Sequence, residues 1–304
     1  MSDIQSLLKG MASGDHRSLA RAITVVENEL PGHKQLLGAL NFSNACPIIG
    51  VTGPPGAGKS TVINNYITAL TAAGKRVGVI AVDPTSPFNF GSLLGDRLRM
   101  SEHFNNPNVF IRSLATRGSL GGLSAKAIEV SDVMRTSGFD AVILETVGVG
   151  QSEVEIAGLA DVTILVLVPE AGDEVQAIKS GVMEIADVFV VNKSDRPGAN
   201  TFLKNLHGMV SHRNVTTTLP QIVKTVGIKN EGTTELIAAV ELMMQEARDD
   251  SRTVLLYADK AYRLIQEDLM RKVDRKLLLN QVNAARQQGD FHLYRFVESY
   301  LSSC

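Results

Sequence analysis

Short apolar segments rich in Val, Ile and Leu, several of them continuous, recur through the middle of the chain, with polar stretches of helical spacing between them. They fall at residues 47–51, 77–82, 109–112, 141–144, 162–168 and 188–191. Strands that are apolar on both faces are expected where helices cover both sides of a parallel sheet. From residue 47 to about 247 the alternation therefore predicts an α/β fold, three layers built on a mainly parallel sheet. In such a sheet, ligands bind at the carboxyl ends of the strands.

The two ends of the chain follow a different period. The first 45 residues read as helices. Asp15 is placed to cap one whose apolar positions, Leu19, Ala22, Ile23, Val26 and Leu30, share a face. Pro31 reads as the first residue of a second, with Leu36, Leu37 and Leu40 inward. After Asp249 and Asp250 the pattern is wholly helical. Leu255, Ala258, Tyr262, Ile265, Leu269 and Val273 make one stripe, and a last helix carries Phe291, Tyr294, Val297 and Leu301. The stripe needs a surface to bury it, either the chain's own sheet or a second copy. The expected division is a helical extension at 1–45, a central domain at 46–248 and a C-terminal helical arm at 249–304.

Composition narrows the function classes. The 304 residues are 44% hydrophobic and 20% charged, with a formal net charge of -2, as in ordinary globular proteins. No net field draws the chain to nucleic acid or to an anionic membrane. The basic residues Arg263, Arg271, Lys272, Arg275 and Lys276 alternate with Glu267, Asp268 and Asp274, which reads as a solvated face. No apolar run approaches the ~18 residues of a membrane span, and no secretory leader is evident. The expected compartment is the cytoplasm; an organellar matrix protein would look the same. Two cysteines, Cys46 and Cys304, make neither a disulfide framework nor a metal cluster.

The chemistry begins at Gly53-Pro54-Pro55-Gly56-Ala57-Gly58-Lys59-Ser60, a G-x-x-x-x-G-K-S phosphate loop between the first strand and a helix. Its glycines let successive backbone N–H groups turn inward around a phosphate, and the helix N-terminus adds partial positive charge. Lys59 is placed to reach the β- and γ-phosphates and Ser60 to ligate Mg²⁺, with Thr61 next on the phosphate side. This is a P-loop nucleotide fold. Asn192-Lys193-Ser194-Asp195 follows directly on the run at 188–191. In that place the tetrad reads guanine. The Asp195 carboxylate accepts from N1–H and the 2-amino group, Lys193 lies along the base, and Asn192 ties its loop to the phosphate loop. Adenine would leave the carboxylate unpaired, a penalty that discriminates by ~10⁴-fold.

Other GTPases end a neighbouring strand in D-x-x-G. Here the motif is Glu145-Thr146-Val147-Gly148, with Glu145 in the acidic place and Gly148 as the γ-phosphate sensor. Asp83 and Asp96 are further candidate acids. Mg²⁺ takes one or two protein carboxylates beside phosphate and water, so Ser60 and one acid would bind it directly while the others hold waters.

The motif extends to Glu145-Thr146-Val147-Gly148-Val149-Gly150-Gln151-Ser152-Glu153, which resembles closely the signature of the MeaB/ArgK-type GTPases. Those are chaperones of adenosylcobalamin-dependent acyl-CoA mutases. Asp15-His16-Arg17-Ser18-Leu19-Ala20-Arg21-Ala22-Ile23-Thr24, Ala81-Val82-Asp83-Pro84-Thr85-Ser86-Pro87 and Gly91-Ser92-Leu93-Leu94-Gly95-Asp96-Arg97 match as well. The resemblance covers nearly the whole chain. It implies that Asp83, Asp96 and Glu145 form the Mg²⁺ site. It also implies an extra switch at 172–181, whose Gly172, Asp173, Glu174, Gln176 and Lys179 communicate with the mutase.

Lys224-Thr225-Val226-Gly227 stands where the family's last guanine loop usually ends Thr-Ser-Ala, so Val226 lacks a hydroxyl. The resemblance further implies a homodimer through the C-terminal helices. Expected ligands are GTP or GDP with Mg²⁺. Lys59 and the loop N–H groups would stabilise the developing charge, with Gln151 or a switch acid such as Asp96 orienting water. Alternatives are a nickel-delivery GTPase, which needs a Cys/His platform, and a transport-system kinase, which needs ATP and an acceptor.

Overall fold

The computed structural model describes residues 2–83, 100–115, 125–146, 156–170, 182–211, 219–246, 250–270, 273–287 and 289–302. The chain divides into two compact units, Met1–Tyr257 and Ala258–Cys304.

In the first unit, the apolar runs form the strands of one sheet: β1 (Ile48–Thr52), β2 (Val77–Asp83), β3 (Val109–Ala115), β4 (Ala141–Thr146), β5 (Val162–Leu167) and β6 (Val188–Val191). A further strand, β7 (Gln221–Lys224), closes one edge. The order is β3-β2-β4-β1-β5-β6-β7, and each neighbouring pair is parallel. The expected α/β fold, a P-loop sheet sandwiched by helices, is the fold observed. β7 has no continuous apolar run: of Gln-Ile-Val-Lys only Val223 is buried, as suits an edge strand.

Each face of the sheet has its cover. Ile49, Val51, Val79, Ile143, Ile164 and Val190 pack against α4 (Lys59–Ala72) and α8 (Thr233–Glu246) through Ile63, Ile67, Leu236 and Val240. On the other face Leu165, Leu167, Phe189 and Val191 meet Leu203, Leu206 and Val210 of α7 (Ala199–Ser211). Each such burial contributes roughly 2 kcal/mol, which is why strands apolar on both faces stay in place.

The N-terminal residues form α1 (Ser2–Ala12), α2 (His16–Glu27) and α3 (His33–Gly38). Asp15 caps α2, its carboxylate accepting from the N–H of Arg17 at 3.2 Å and of Ser18 at 3.0 Å. Leu19, Ala22, Ile23 and Val26 are buried as the period requires. Leu30 departs from it: the helix stops at Glu27, and Leu30 is exposed beyond it. Pro31 likewise lies outside α3. Gly32, at φ 96°, caps that helix, and no proline adopts such a φ.

α2 packs on α5 (Ala125–Arg135). Ion pairs tie down its C-terminal end: Arg112 of β3 to Glu27, and Lys126 of α5 to Glu29 just beyond the helix at 2.8 Å. Nearby, the His16 ring meets Phe110 edge-on at 5.4 Å, and Arg76 donates to the Gly14 and Gly138 carbonyls.

Beyond the sheet run α9 (Asp250–Met270), α10 (Arg275–Gln287) and α11 (Leu293–Ser302). The apolar stripe outlasts its helix, since Val273 follows the end of α9, and Phe291 precedes α11. Leu255, Tyr262, Ile265 and Leu269 are exposed on the single chain. Among the described residues no helix is long and apolar enough to cross a membrane.

Candidate nucleotide site

The phosphate loop leaves β1 at the centre of the sheet and enters α4 at Lys59. Two glycines are required by its path. A Cβ on Gly53, where φ is 142°, would lie 2.2 Å from the Val166 carbonyl oxygen. One on Gly58, where φ is 88°, would lie 2.4 Å from Asn192 Nδ2. Pro54 and Ala57 are buried, whereas Pro55 and Gly56 are exposed. The buried Lys59 ammonium donates to the Gly53 carbonyl at 2.7 Å and the Pro54 carbonyl at 3.1 Å. A cation inside a turn of backbone at the start of a 14-residue helix makes an anion site.

β4 is longer than its apolar run and carries Glu145, which pairs in register with Val51 of β1. That register brings the acid beside the helix start, where the Ser60 hydroxyl donates to Glu145 Oε1 at 2.9 Å. Glu145 is buried, and its neighbour Thr146 donates to Thr52 at 3.1 Å. A hydroxyl and a carboxylate held together in this way are hard oxygen donors and suit Mg²⁺ in chemistry and number. Asp83 ends β2, paired in register with Ala115; its side chain is outside the described residues. Asp96, Gly148, Gln151 and the switch residues Gly172, Asp173, Glu174, Gln176 and Lys179 lie outside the described residues as well.

On the other side of the loop, Asn192 follows β6 and is 3% exposed. Its amide Nδ2 donates to the Ala57 carbonyl at 2.9 Å. Its Oδ1 accepts from the Thr225 hydroxyl at 3.1 Å and from the Gly227 N–H at 3.0 Å. One side chain thereby joins the phosphate loop to the segment after β7. Lys193, at φ 55°, extends across to the Gly56 carbonyl at 2.8 Å. Asp195 pairs with Lys229 at 3.6 Å, and both are partly exposed, so the pair contributes little to stability. Val226 is buried and bridges to Glu231, which holds the loop by backbone where its hydroxyl is missing. Next to the tetrad, Arg196 bonds Glu170 at 2.5 Å and holds that carboxyl below its usual range.

Thr225 and Asn65 were not among the sequence candidates. Asn65, on α4, donates to the Gly227 carbonyl at 2.7 Å. Its signal in the sequence is faint: a residue of modest helix propensity inside a helix.

The chemistry of the remaining candidates opposes a soft-metal platform. Burial pushes the Cys46 thiol up to about 12, which keeps it protonated and a poor ligand. Among the described residues, no cluster of three His, Cys, Asp or Glu side chains is placed to hold a metal.

Comparison with known proteins agrees with this arrangement. Residues 19–286 match the family described as methylmalonyl Co-A mutase-associated GTPase MeaB. A Pyrococcus horikoshii protein named as a GTPase is 46% identical over 241 residues, which cover 78% of this chain and 76% of that protein. The GTPase ArgK of Escherichia coli is 43% identical over 193 residues, 62% of this chain and 58% of its own. A solved structure described as an LAO/AO transport system kinase shares the fold with a TM-score of 0.69 at 26% identity, covering 99% of this chain and 98% of that one. With a phosphate loop, a guanine-type tetrad and a family match across most of its length, the chain belongs to the MeaB family of methylmalonyl-CoA mutase-associated GTPases.

Proposed function

We propose that this GTPase binds GTP and Mg²⁺ at the phosphate loop and uses hydrolysis to gate a partner acyl-CoA mutase of the methylmalonyl-CoA mutase type. The gated event is the loading of adenosylcobalamin or the protection of the bound cofactor. One observation carries the choice of guanine: Asn192 hydrogen-bonds the Ala57 carbonyl and the Gly227 N–H at once, which sets Lys193 and Asp195 beside the phosphate loop. The family's description supports the mutase as partner.

In this reading Lys59 exchanges its loop carbonyls for phosphate oxygens and stabilises charge as the γ-phosphoryl group leaves. Ser60 and Glu145 hold the metal, with Asp83 and Asp96 as the further acids. Mg²⁺, when bound, neutralises phosphate charge. Asp195 and Lys193 fix the base, and Val226 and Gly227 complete its pocket. Gly148 senses the γ-phosphate, Gln151 or Asp96 orients water, and the segment containing Gly172, Asp173, Glu174, Gln176 and Lys179 relays the state. Intrinsic turnover is slow, and the partner accelerates it. The exposed C-terminal stripe pairs two copies.

The test is the GTPase rate with and without a cognate adenosylcobalamin-dependent acyl-CoA mutase. Stimulation of about tenfold or more, together with nucleotide-dependent binding, supports the reading. No stimulation and no binding would falsify it.

A further inference from the structure

The loop that follows β7 is held on two sides. Asn192 takes the Gly227 N–H at 3.0 Å, and Asn65 of α4 gives to the Gly227 carbonyl at 2.7 Å. A single residue of the base loop is thus gripped through both of its backbone polar groups, from β6 on one side and from the phosphate-loop helix on the other. Thr61 lies one turn before Asn65 on the same face of α4. A Cβ on residue 227 would sit 3.1 Å from Thr61 Cγ2 and 3.3 Å from Asn192 Oδ1, so glycine lets the loop lie close against that face.

The links close into a ring: Ala57 in the phosphate loop to Asn192, Asn192 to Gly227, Gly227 to Asn65, and Asn65 back along α4 to the phosphate loop. A rigid ring sets the distance between the phosphate cradle and the backbone that faces the base. Guanine presents N1–H and a 2-amino group, which suit the Asp195 carboxylate, and an O6 acceptor, which would draw on the Gly227 N–H that Asn192 Oδ1 now accepts. Any slack in that loop falls on the O6 contact.

We propose that Asn65 is a positioning residue for the guanine base: through the Gly227 carbonyl it seats the base loop against the phosphate-loop helix and so sets the affinity for the O6 edge. Asn65 touches neither phosphate nor metal, so its effect falls on nucleotide retention and not on the chemical step.

The experiment compares Asn65→Leu, which keeps the size and removes the donor, with Asn65→Gln in the full-length protein. The readouts are GDP affinity and release rate, kcat at saturating GTP, and competition by 6-thioguanosine diphosphate, whose sulfur is a weak acceptor. The expected result for Asn65→Leu is GDP binding weaker by about tenfold, with faster release and kcat within twofold of wild type. For the thio analogue the loss shrinks to twofold or less, and Asn65→Gln recovers most of the affinity. An equal loss for both nucleotides overturns the proposal, because a merely structural defect does not distinguish O6 from sulfur. Unchanged GDP affinity in Asn65→Leu overturns it too. If Asn65→Leu does not fold, the Asn65→Ala variant with the same pair of nucleotides decides on the same criteria.

Discussion

Asn192 and Ala57, separated by 135 residues of sequence, are joined by one hydrogen bond of 2.9 Å between an amide and a buried carbonyl. Asn192→Leu removes the donor to Ala57 and the acceptor for Thr225 and Gly227 together. Leaving such buried groups unpaired costs about 1–3 kcal/mol each. The expected outcome is a lower melting temperature and GDP binding weakened by at least ~100-fold, read by calorimetric titration. Tight GDP binding by the folded variant would separate this side chain from the base site.

Lys59→Ala takes the ammonium out of the phosphate loop. Because the Lys59 ammonium sits within the loop on the Gly53 and Pro54 carbonyls, single-turnover hydrolysis is expected to fall by ~10³-fold or more while the protein still folds. Turnover at the wild-type rate would place the chemistry elsewhere.

The Ser60–Glu145 pair predicts how the enzyme responds to metal. Ser60→Ala removes a hard oxygen donor, and Glu145→Gln removes the carboxylate's negative charge and one of its oxygens. In both, the Mg²⁺ concentration for half-maximal hydrolysis should rise about tenfold, and nucleotide binding measured in EDTA should hardly move. A titration with an unshifted midpoint would exclude these two residues from the metal site.

Acid should loosen the attachment of the N-terminal helices through His16. Burial, and then the nearby Arg76, hold its pKa below the ordinary 6.5, while Asp15 opposes them weakly. The unfolded chain therefore binds the proton first, and stability present above pH 6.5 is lost as pH falls through the folded value. Melting temperature should drop more between pH 7.5 and 5.5 in wild type than in His16→Phe, which keeps the ring contact with Phe110. Identical drops in the two proteins would count against His16.

The parts of the fold visible in the sequence are those in which one local signal decides the outcome. An apolar run followed by Gly53 and Lys59 announces β1, its loop and α4, and Asn192 is found because it follows such a run. β7 escaped because an edge strand buries one residue in four and carries no run. The start of α3 was misplaced because Gly32 takes φ 96° and resets the cap, a tertiary choice that Pro31 does not reveal. Val273 and Phe291 continue an apolar period past the ends of their helices, since period records the face to be buried and not the stop signal. Asn65 was invisible for a different reason. Its partner, Gly227, lies 162 residues away, and nothing local distinguishes it from any polar residue on a helix.

The strand order has an effect on how this protein can change over generations. With β1 in the middle, the Asn192–Asp195 tetrad and the loop at Val226 follow β6 and β7, while Glu145, Asp83 and Arg112, which pairs with Glu27, belong to β4, β2 and β3. The base-reading tetrad and the candidate metal acids thus lie on opposite sides of β1, with the phosphate loop between them. A substitution in β7 or its loop therefore falls on the base contacts, while the Ser60–Glu145 pair stands on the other side of β1.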